Sequence, residues 1–597
     1  MPCFPKRFVS AFRRGLTMAP ASSDTLEVKI PLTKLPDGEL KEVPMGDQNI
    51  LMIREGSTVR AFGSKCTHYG APLIKGIHAN GRVRCPWHGA CFNLTTGDIE
   101  DFPGLDSLPC YDVTVDGDTV TVTAQKGQLE NTKRIRTAAK YEPNSPKSDD
   151  VVILGGGAAG ATCAENLRYQ GHKGLIIIVS QDANPPYDRP KLSKALDSTF
   201  DAIKLRSPDF YEDHGIKVMT KQRVLELLPD NNTVTLQNIE EGSTWSLDYG
   251  KLVIATGARP RKLDIPGSEL KNIFYLRSIE DAQGIAAAGA GKNVVVIGSS
   301  FIGMEVAAYF CSNKKAKSVT IIGATNYPYE RVLGQKIGER IQKLFHESSD
   351  LVRFVNGSHG GVKEFVPSSG PGSDQQSLDE AELGRVVLAD GETIVADVCV
   401  VGIGVEPSTS FVSGSGIKLD DRGFVIVDEF GVTHEKNDIN HIRMMRTNVK
   451  GIYAAGDVTR FPLKFGGSNG FKDNVSIGHW GLAMKLGEAA AASICNPEAG
   501  PRATVPFFWS VIFGKSLRYS GYCPDYDDVI IGGSLQDLSF VAYFCKGSRV
   551  NAVATLNKDP VAAKFAEWLY AGHYLEKSRV QRDPMEWLQE PIDSKLP

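Results

Sequence analysis

No stretch of this chain stays apolar for the length a membrane-crossing helix needs, about 20 residues, so a helical span is excluded. Cysteine is sparse: eleven among 597 residues, scattered without the paired spacings of a disulfide framework. That excludes a small stapled scaffold and fits a reducing compartment. An excess of one charge is missing too. The net charge of −3 gives no electrostatic ground for a nucleic-acid or membrane-surface partner. The first 23 residues lack any acid but carry Lys6, Arg7, Arg13 and Arg14, with Phe4, Phe8, Phe12 and Leu16 at every fourth position. Such a start reads as a mitochondrial transit peptide, as a disordered tail, or as a leader before a start at Met18. The expected location is mitochondrial or cytoplasmic. The chain is too long for one core and implies three or four domains.

What is present begins with two short segments, Cys66-Thr67-His68 and Cys85-Pro86-Trp87-His88, separated by sixteen residues. Two Cys and two His suit a [2Fe–2S] cluster of the Rieske kind, with both thiolates on one iron and both neutral imidazoles on the other. They also suit tetrahedral zinc. The C-x-H and C-x₂-H spacing differs from the zinc-finger pattern. Each segment runs on into a loop, Tyr69-Gly70-Ala71-Pro72-Leu73 and Gly89-Ala90-Cys91-Phe92, able to turn backbone N–H groups toward sulfur. Both features favour iron. Residues 24–127 alternate short strand-like runs with turns, an all-β pattern. Polar residues 128–148, with Pro143 and Pro146, read as a linker.

Beyond the linker, apolar strands alternate with helix-like stretches, as in a parallel α/β sheet. Val151–Leu154 leads into Gly155-Gly156-Gly157-Ala158-Ala159-Gly160 and then a helix. This is G-x-G-x-x-G in its strand–turn–helix context. Gly155 permits the turn, Gly157 admits a pyrophosphate, Gly160 lets helix and strand approach, and the helix N-terminus, near Ala159, faces the phosphates. After the strand Ile176–Val179, Asp182 or Gln181 is the candidate for the ribose. A second unit, Val294–Ile297 followed by Gly298-Ser299-Ser300-Phe301-Ile302-Gly303, has Ser300 where the middle glycine belongs. Its next strand ends in Gly323, where an acid would select NADH, so discrimination between NADH and NADPH is expected to be slight. Two stretches read as insertions, Pro367–Leu383 and Gly431–Met445.

Residues 24–127 resemble the Rieske ferredoxin family. Respiratory members add a disulfide, but its positions here hold Ala71 and Trp87, which implies the low-potential branch, at roughly −150 mV. From residue 24 onward the chain resembles apoptosis-inducing-factor-like flavoproteins with an N-terminal Rieske domain. Pro186-Tyr187-Asp188-Arg189-Pro190-Lys191-Leu192-Ser193-Lys194 is similar to that family's flavin segment, which assigns Arg189 and Lys194 to FAD. A lysine near flavin N5 would stabilise charge on the reduced ring. Ala255-Thr256-Gly257, Arg277, the segment ending in Gly456-Asp457, and His479-Trp480 resemble further FAD motifs. Glu305 and Gly404 match positions near the nicotinamide.

The resemblance implies the following organisation: 1–23 a targeting or disordered segment, 24–127 the Rieske domain, 128–148 the linker, 149–285 and 409–500 the two parts of a doubly wound FAD domain, 286–408 an NAD(P)H domain, and 501–597 a C-terminal α/β reductase domain. The implied cofactors are FAD, NAD(P)H and the cluster. The implied activity carries electrons from NAD(P)H through FAD, which handles electrons in pairs or singly, to the cluster and on to an unidentified acceptor. The competing expectation is a redox-sensing pro-apoptotic or assembly flavoprotein with little turnover. Disulfide reductases of similar fold carry C-x₄-C beside the flavin. Cys163 has no such partner, so electrons are expected to leave through iron and sulfur.

Overall fold

The computed structural model describes residues 24–357, 361–368, 381–427, 445–463, 474–496 and 504–593. The targeting segment and nearly all of Gly431–Met445 lie outside the described residues. So does the middle of Pro367–Leu383, whose ends are paired as a hairpin at Pro367 and Leu383.

The chain forms two compact bodies. One comprises residues up to 64 with 109–132, and the other 65–108 with 133 onward. The segment that reads as one Rieske domain is thus shared between them, its ligand-bearing part belonging to the larger body.

The smaller body is an antiparallel sheet in the order Thr25–Pro31, Thr119–Gln125, Cys110–Asp116, Thr58–Gly63, Gln48–Glu55, Leu40–Met45. Alternation in Thr119–Gln125 buries Val120, Val122 and Ala124 against Ile50, Met52 and Ala61, while the threonines between them face outward. This is the period-2 signature of a sheet with one covered face.

In the larger body, residues 77–101 form a four-stranded antiparallel sheet that carries the ligand loops. The region that reads as the FAD domain is a parallel sheet ordered Ile216–Met219, Ile176–Val179, Val151–Leu154, Lys251–Ile254, Ile452–Ala454. Its central strands are apolar and buried along almost their whole length, with helices packed against the sheet. Two of those helices, Ala158–Tyr169 and Trp480–Cys495, meet at backbone contact: a Cβ on Gly487 would lie 2.2 Å from the Ala159 carbonyl oxygen. The second parallel sheet runs Ile273–Phe274, Val398–Val401, Asn293–Ile297, Ser318–Gly323, Val352–Asn356. The C-terminal segment is an antiparallel sheet, Phe507–Ile512 through Arg549–Leu556, covered by the helix Val561–Tyr570. Every described cysteine is a free thiol.

The linker is laid down on its neighbours rather than left free. Arg134 exchanges backbone hydrogen bonds with Ser107, donates to the carbonyls of Leu108 and Thr96, and pairs with Asp98.

Candidate functional site

Cys66, His68, Cys85 and His88 come together at the tips of two loops, where Cys66 N donates to Ala71 O and Cys85 N to Ala90 O. The imidazoles stand 5.0 Å apart, centre to centre, at 77°. A hydrogen bond between the two sulfurs pushes the Cys66 thiol up and pulls Cys85 down. Backbone N–H groups of His68 and Tyr69 point at Cys66 sulfur, and those of Trp87 and His88 at Cys85. Burial first, then the cations around them, drive the imidazole pKa values down to about 2 at His68 and about 3 at His88, so both rings are neutral. His68 Nδ1 is buried without a hydrogen-bond partner, the state of a nitrogen that belongs to a metal. Among the described residues no three ligating side chains converge as a single-ion site. Two thiols and two neutral imidazoles on two loops fit a [2Fe–2S] cluster held by two Cys and two His. His88→Cys is expected to lower the cluster potential or lose the cluster, read by redox-titrated EPR. Stoichiometric zinc in anaerobically purified wild-type protein would overturn the cluster assignment.

Gly155, Gly156 and Gly157 of the first fingerprint line a cavity of about 310 Å³. Gly155 holds φ +117°, and a Cβ there would lie 2.2 Å from Ala255 O; one on Gly160 would lie 1.9 Å from Gly155 O. At Gly157 a Cβ would meet nothing within 4 Å, because that position faces the cavity. Gln181, Asp182, Arg189, Gly257, Arg277, Asp457 and Trp480 line the same space. Asp182 is ion-paired with Arg189. Burial lowers the Arg277 pKa to about 10, and the charge of Arg189 adds to the effect. Burial raises Asp457 despite both arginines, and its Oδ1 has no partner. A buried carboxylate oxygen awaiting a donor, backbone N–H groups at a helix start and two arginines suit a polyhydroxylated diphosphate such as FAD.

Lys194 and Glu305 are brought together outside that lining. Lys194 Nζ donates to Glu305 Oε2 at 2.9 Å, Ser510 Oγ to Oε1 at 2.6 Å, and Ser193 supplies a third donor. The second fingerprint repeats the geometry of the first. Gly298 has φ +109° and would strike Gly402 O, and Gly303 would strike Gly298 O. Ser300 caps the helix Phe301–Cys311 and its hydroxyl lies 3.5 Å from Gly402 O. Gly404, at φ +103°, has open space around it. Gly323 does more than omit an acid: a Cβ there would lie 2.6 Å from Ser299 Oγ and 2.9 Å from Asn356 Oδ1.

Trp480, which the sequence reading assigned to FAD, and several residues it did not single out join the ligand loops to these elements. Trp480, on the cavity lined by the first fingerprint, donates to Pro103 O at 3.1 Å. Trp509 lies 4.7 Å from the His88 ring, centre to centre. Tyr69 donates to Asp188 at 2.7 Å. Arg518 Nε reaches the carbonyls of Pro86 and Trp87. Arg82 and Arg84 both bind Glu567, which is fully buried. Two signals for the last set were present in the sequence: arginines at i and i+2 of a strand, and one acid on the apolar helix Val561–Tyr570.

Three family models match the chain: Rieske [2Fe-2S] domain over residues 28–112, pyridine nucleotide-disulphide oxidoreductase over 149–487, and reductase C-terminal over 507–590. Human apoptosis-inducing factor 3 is 40% identical over 94% of this chain and 87% of its own length. The ferredoxin–NAD(+) reductase subunit of the benzene 1,2-dioxygenase system of Pseudomonas putida is 30% identical over 69% of this chain and 90% of its own. Among solved structures, the covalent putidaredoxin reductase–putidaredoxin complex aligns with a TM-score of 0.63 and 29% identity, covering 74% of this chain and 98% of that one. The chain therefore belongs to the pyridine nucleotide-disulphide oxidoreductase family, as an apoptosis-inducing-factor-3-like NAD(P)H oxidoreductase whose cofactors are FAD and a Rieske [2Fe–2S] cluster.

Proposed function

We propose that this chain takes electrons from NAD(P)H and delivers them one at a time through its own Rieske centre to an external acceptor. When bound, FAD accepts a hydride and releases single electrons, which is the conversion an iron–sulfur centre requires. Gly155, Gly157, Asp457, Arg189 and Arg277 would hold it, and Cys66, Cys85, His68 and His88 would hold the cluster. The observation that carries the reading is the contact between the two sites: Trp480 lines the FAD cavity and is hydrogen-bonded to the ligand-bearing lobe at Pro103. The residues themselves orient and insulate. Glu305 fixes the Lys194 ammonium, while Trp509 and Phe507, both buried, exclude water beside His88 and Gly89.

Mixing the holoprotein with NAD(P)H in a stopped-flow apparatus tests the proposal. Flavin bleaching should be followed by a rhombic Rieske EPR signal in freeze-quenched samples. Flavin reduction with a persistently oxidised cluster would overturn it. Fast internal reduction combined with negligible turnover on any acceptor would instead favour the signalling or assembly role.

Both nucleotides are expected to reduce the flavin with efficiencies within about tenfold, because a missing acid removes discrimination without creating affinity. A preference above a hundredfold would show that ribose selection resides elsewhere. Gly323→Glu is not a clean probe of this, since its Cβ must displace Ser299 and Asn356; it is expected to lower the melting temperature as well as to bias toward NADH.

A further inference from the structure

The side of the cluster site that faces the FAD cavity is closed. Cys66, Cys85 and His88 are buried, and so is Trp509. A Cβ on Gly89 would lie 2.6 Å from the Phe507 ring, leaving no room for another molecule there. An external partner must approach from elsewhere. Three other aromatic rings lie near the two histidines: Trp509 is buried, Trp87 half-buried, and Tyr69 is 39% exposed. Tyr69 is stacked on His68, with centroids 3.7 Å apart and planes at 20°. Its hydroxyl is fixed by Asp188, so the ring stays over the imidazole with its edge in solvent.

The charge around that ring is one-sided toward solvent. Lys191 Nζ stands 5.2 Å from the Tyr69 centroid, with its side chain 35% exposed. Lys133 has 54% of its side chain exposed, and its field, like that of Lys191, reaches the His68 ring. Lys65, next to Cys66, is exposed. The acids nearby point inward: Asp188 is buried, receives Tyr69 and lies 3.8 Å from Lys191, and Asp106 is buried against Arg206 while also lying 3.7 Å from Lys133.

We propose that the Tyr69 face, with Lys133 and Lys191 beside it, is the docking surface for a one-electron carrier protein with an acidic surface. The proposal rests on the electron route above. Each NAD(P)H yields NAD⁺ or NADP⁺, one proton and two electrons, so two oxidised carriers leave reduced for each nucleotide consumed. No bond forms or breaks at Tyr69. Its ring brings the carrier's edge within one ring thickness of a cluster ligand, and the lysines steer the encounter.

The soluble domain of cytochrome b5, an acidic single-haem carrier, serves as probe, with basic cytochrome c as the contrast. Binding of oxidised cytochrome b5 to the holoprotein is titrated without nucleotide, at low and at physiological salt. Affinity should fall with salt. Lys133→Glu/Lys191→Glu should weaken binding at low salt about tenfold or more and flatten the salt dependence, and Lys133→Glu alone should act in the same direction. Tyr69→Leu should slow cytochrome reduction at saturating carrier several-fold more than it slows NAD(P)H-driven appearance of the Rieske EPR signal in the same variant. Unchanged binding in both charge-reversal variants, or tighter low-salt binding of cytochrome c, would overturn the docking face. Because binding is read without turnover, that outcome is separable from failure of NAD(P)H to reduce the cluster, which would overturn the internal route instead.

Discussion

Gly157→Val is expected to give a folded protein that has lost its FAD. Position 157 caps the helix Ala158–Tyr169 with its backbone extended, at φ −86°, so valine is tolerated by the chain itself. The Cβ meets no protein atom. The added methyls project into the cavity where a pyrophosphate would lie against the helix N-terminus. Two or three charge-assisted hydrogen bonds would be blocked, at roughly 1.5–3 kcal/mol each, which amounts to more than about a hundredfold in affinity. Gly160→Val is the instructive contrast. Its Cβ would sit 1.9 Å from Gly155 O, so that variant should fail to fold. The check is FAD released per polypeptide on denaturation, beside the thermal unfolding curve of each variant. Normal FAD content in a folded Gly157→Val protein would mean that the diphosphate lies elsewhere.

The contrast between these glycines shows which features were legible in the sequence. The G-x-G-x-x-G turn and the C-x-H and C-x₂-H loops are local, and their chemistry is set by spacing within a few residues. The structure accordingly brings Cys66, His68, Cys85 and His88 together and sets Gly155 and Gly157 on one cavity; Arg189, Arg277 and Asp457, which line it too, were legible only through the family resemblance. Lys194 and Glu305, assigned separately to FAD and to the nicotinamide side, are 111 residues apart and meet in an ion pair beside the cavity lining. What the sequence could not show are contacts without local pattern. Tyr69 reads as one residue of a glycine-rich loop, yet its hydroxyl is bound by Asp188, 119 positions on. Gly323 reads as a missing acid, whereas its absent side chain also makes room for Ser299 and Asn356. The polar stretch around Arg134 reads as free linker because its partners are mostly backbone carbonyls, which leave no trace in a residue pattern.

Glu567→Ala is expected to destabilise the protein and slow electron delivery to the cluster while leaving NAD(P)H-to-flavin reduction intact. Glu567 is fully buried and satisfies two buried cations: Arg82 Nη2 reaches both carboxylate oxygens at 2.8 Å, and Arg84 Nε reaches one at 2.6 Å. Removing one partner of such a network strands the others, at a cost of roughly 3–5 kcal/mol. Arg84 also donates to Gly89 O, the residue after His88, and pairs with Asp101. Losing its main partner therefore loosens the second ligand loop itself. Glu567→Gln, which keeps the shape and one acceptor, should fall between wild type and the alanine variant. The pH dependence has a definite sign. Burial alone would raise the Glu567 carboxyl, but Arg84 and Arg82 outweigh it and hold the pKa below the ordinary value. Its contribution is therefore fully present above the unfolded carboxyl pKa of about 4.3 and is lost as pH falls through the lower, folded value. Wild type should thus keep its fast cluster-reduction phase until strongly acid pH, whereas Glu567→Ala lacks it at neutral pH as well. Freeze-quench EPR after mixing with NAD(P)H reads this phase, and flavin bleaching in the same samples supplies the internal control. A cluster reduced as fast in Glu567→Ala as in wild type would mean that the electron route does not depend on this lock between the ligand loops and the C-terminal helix.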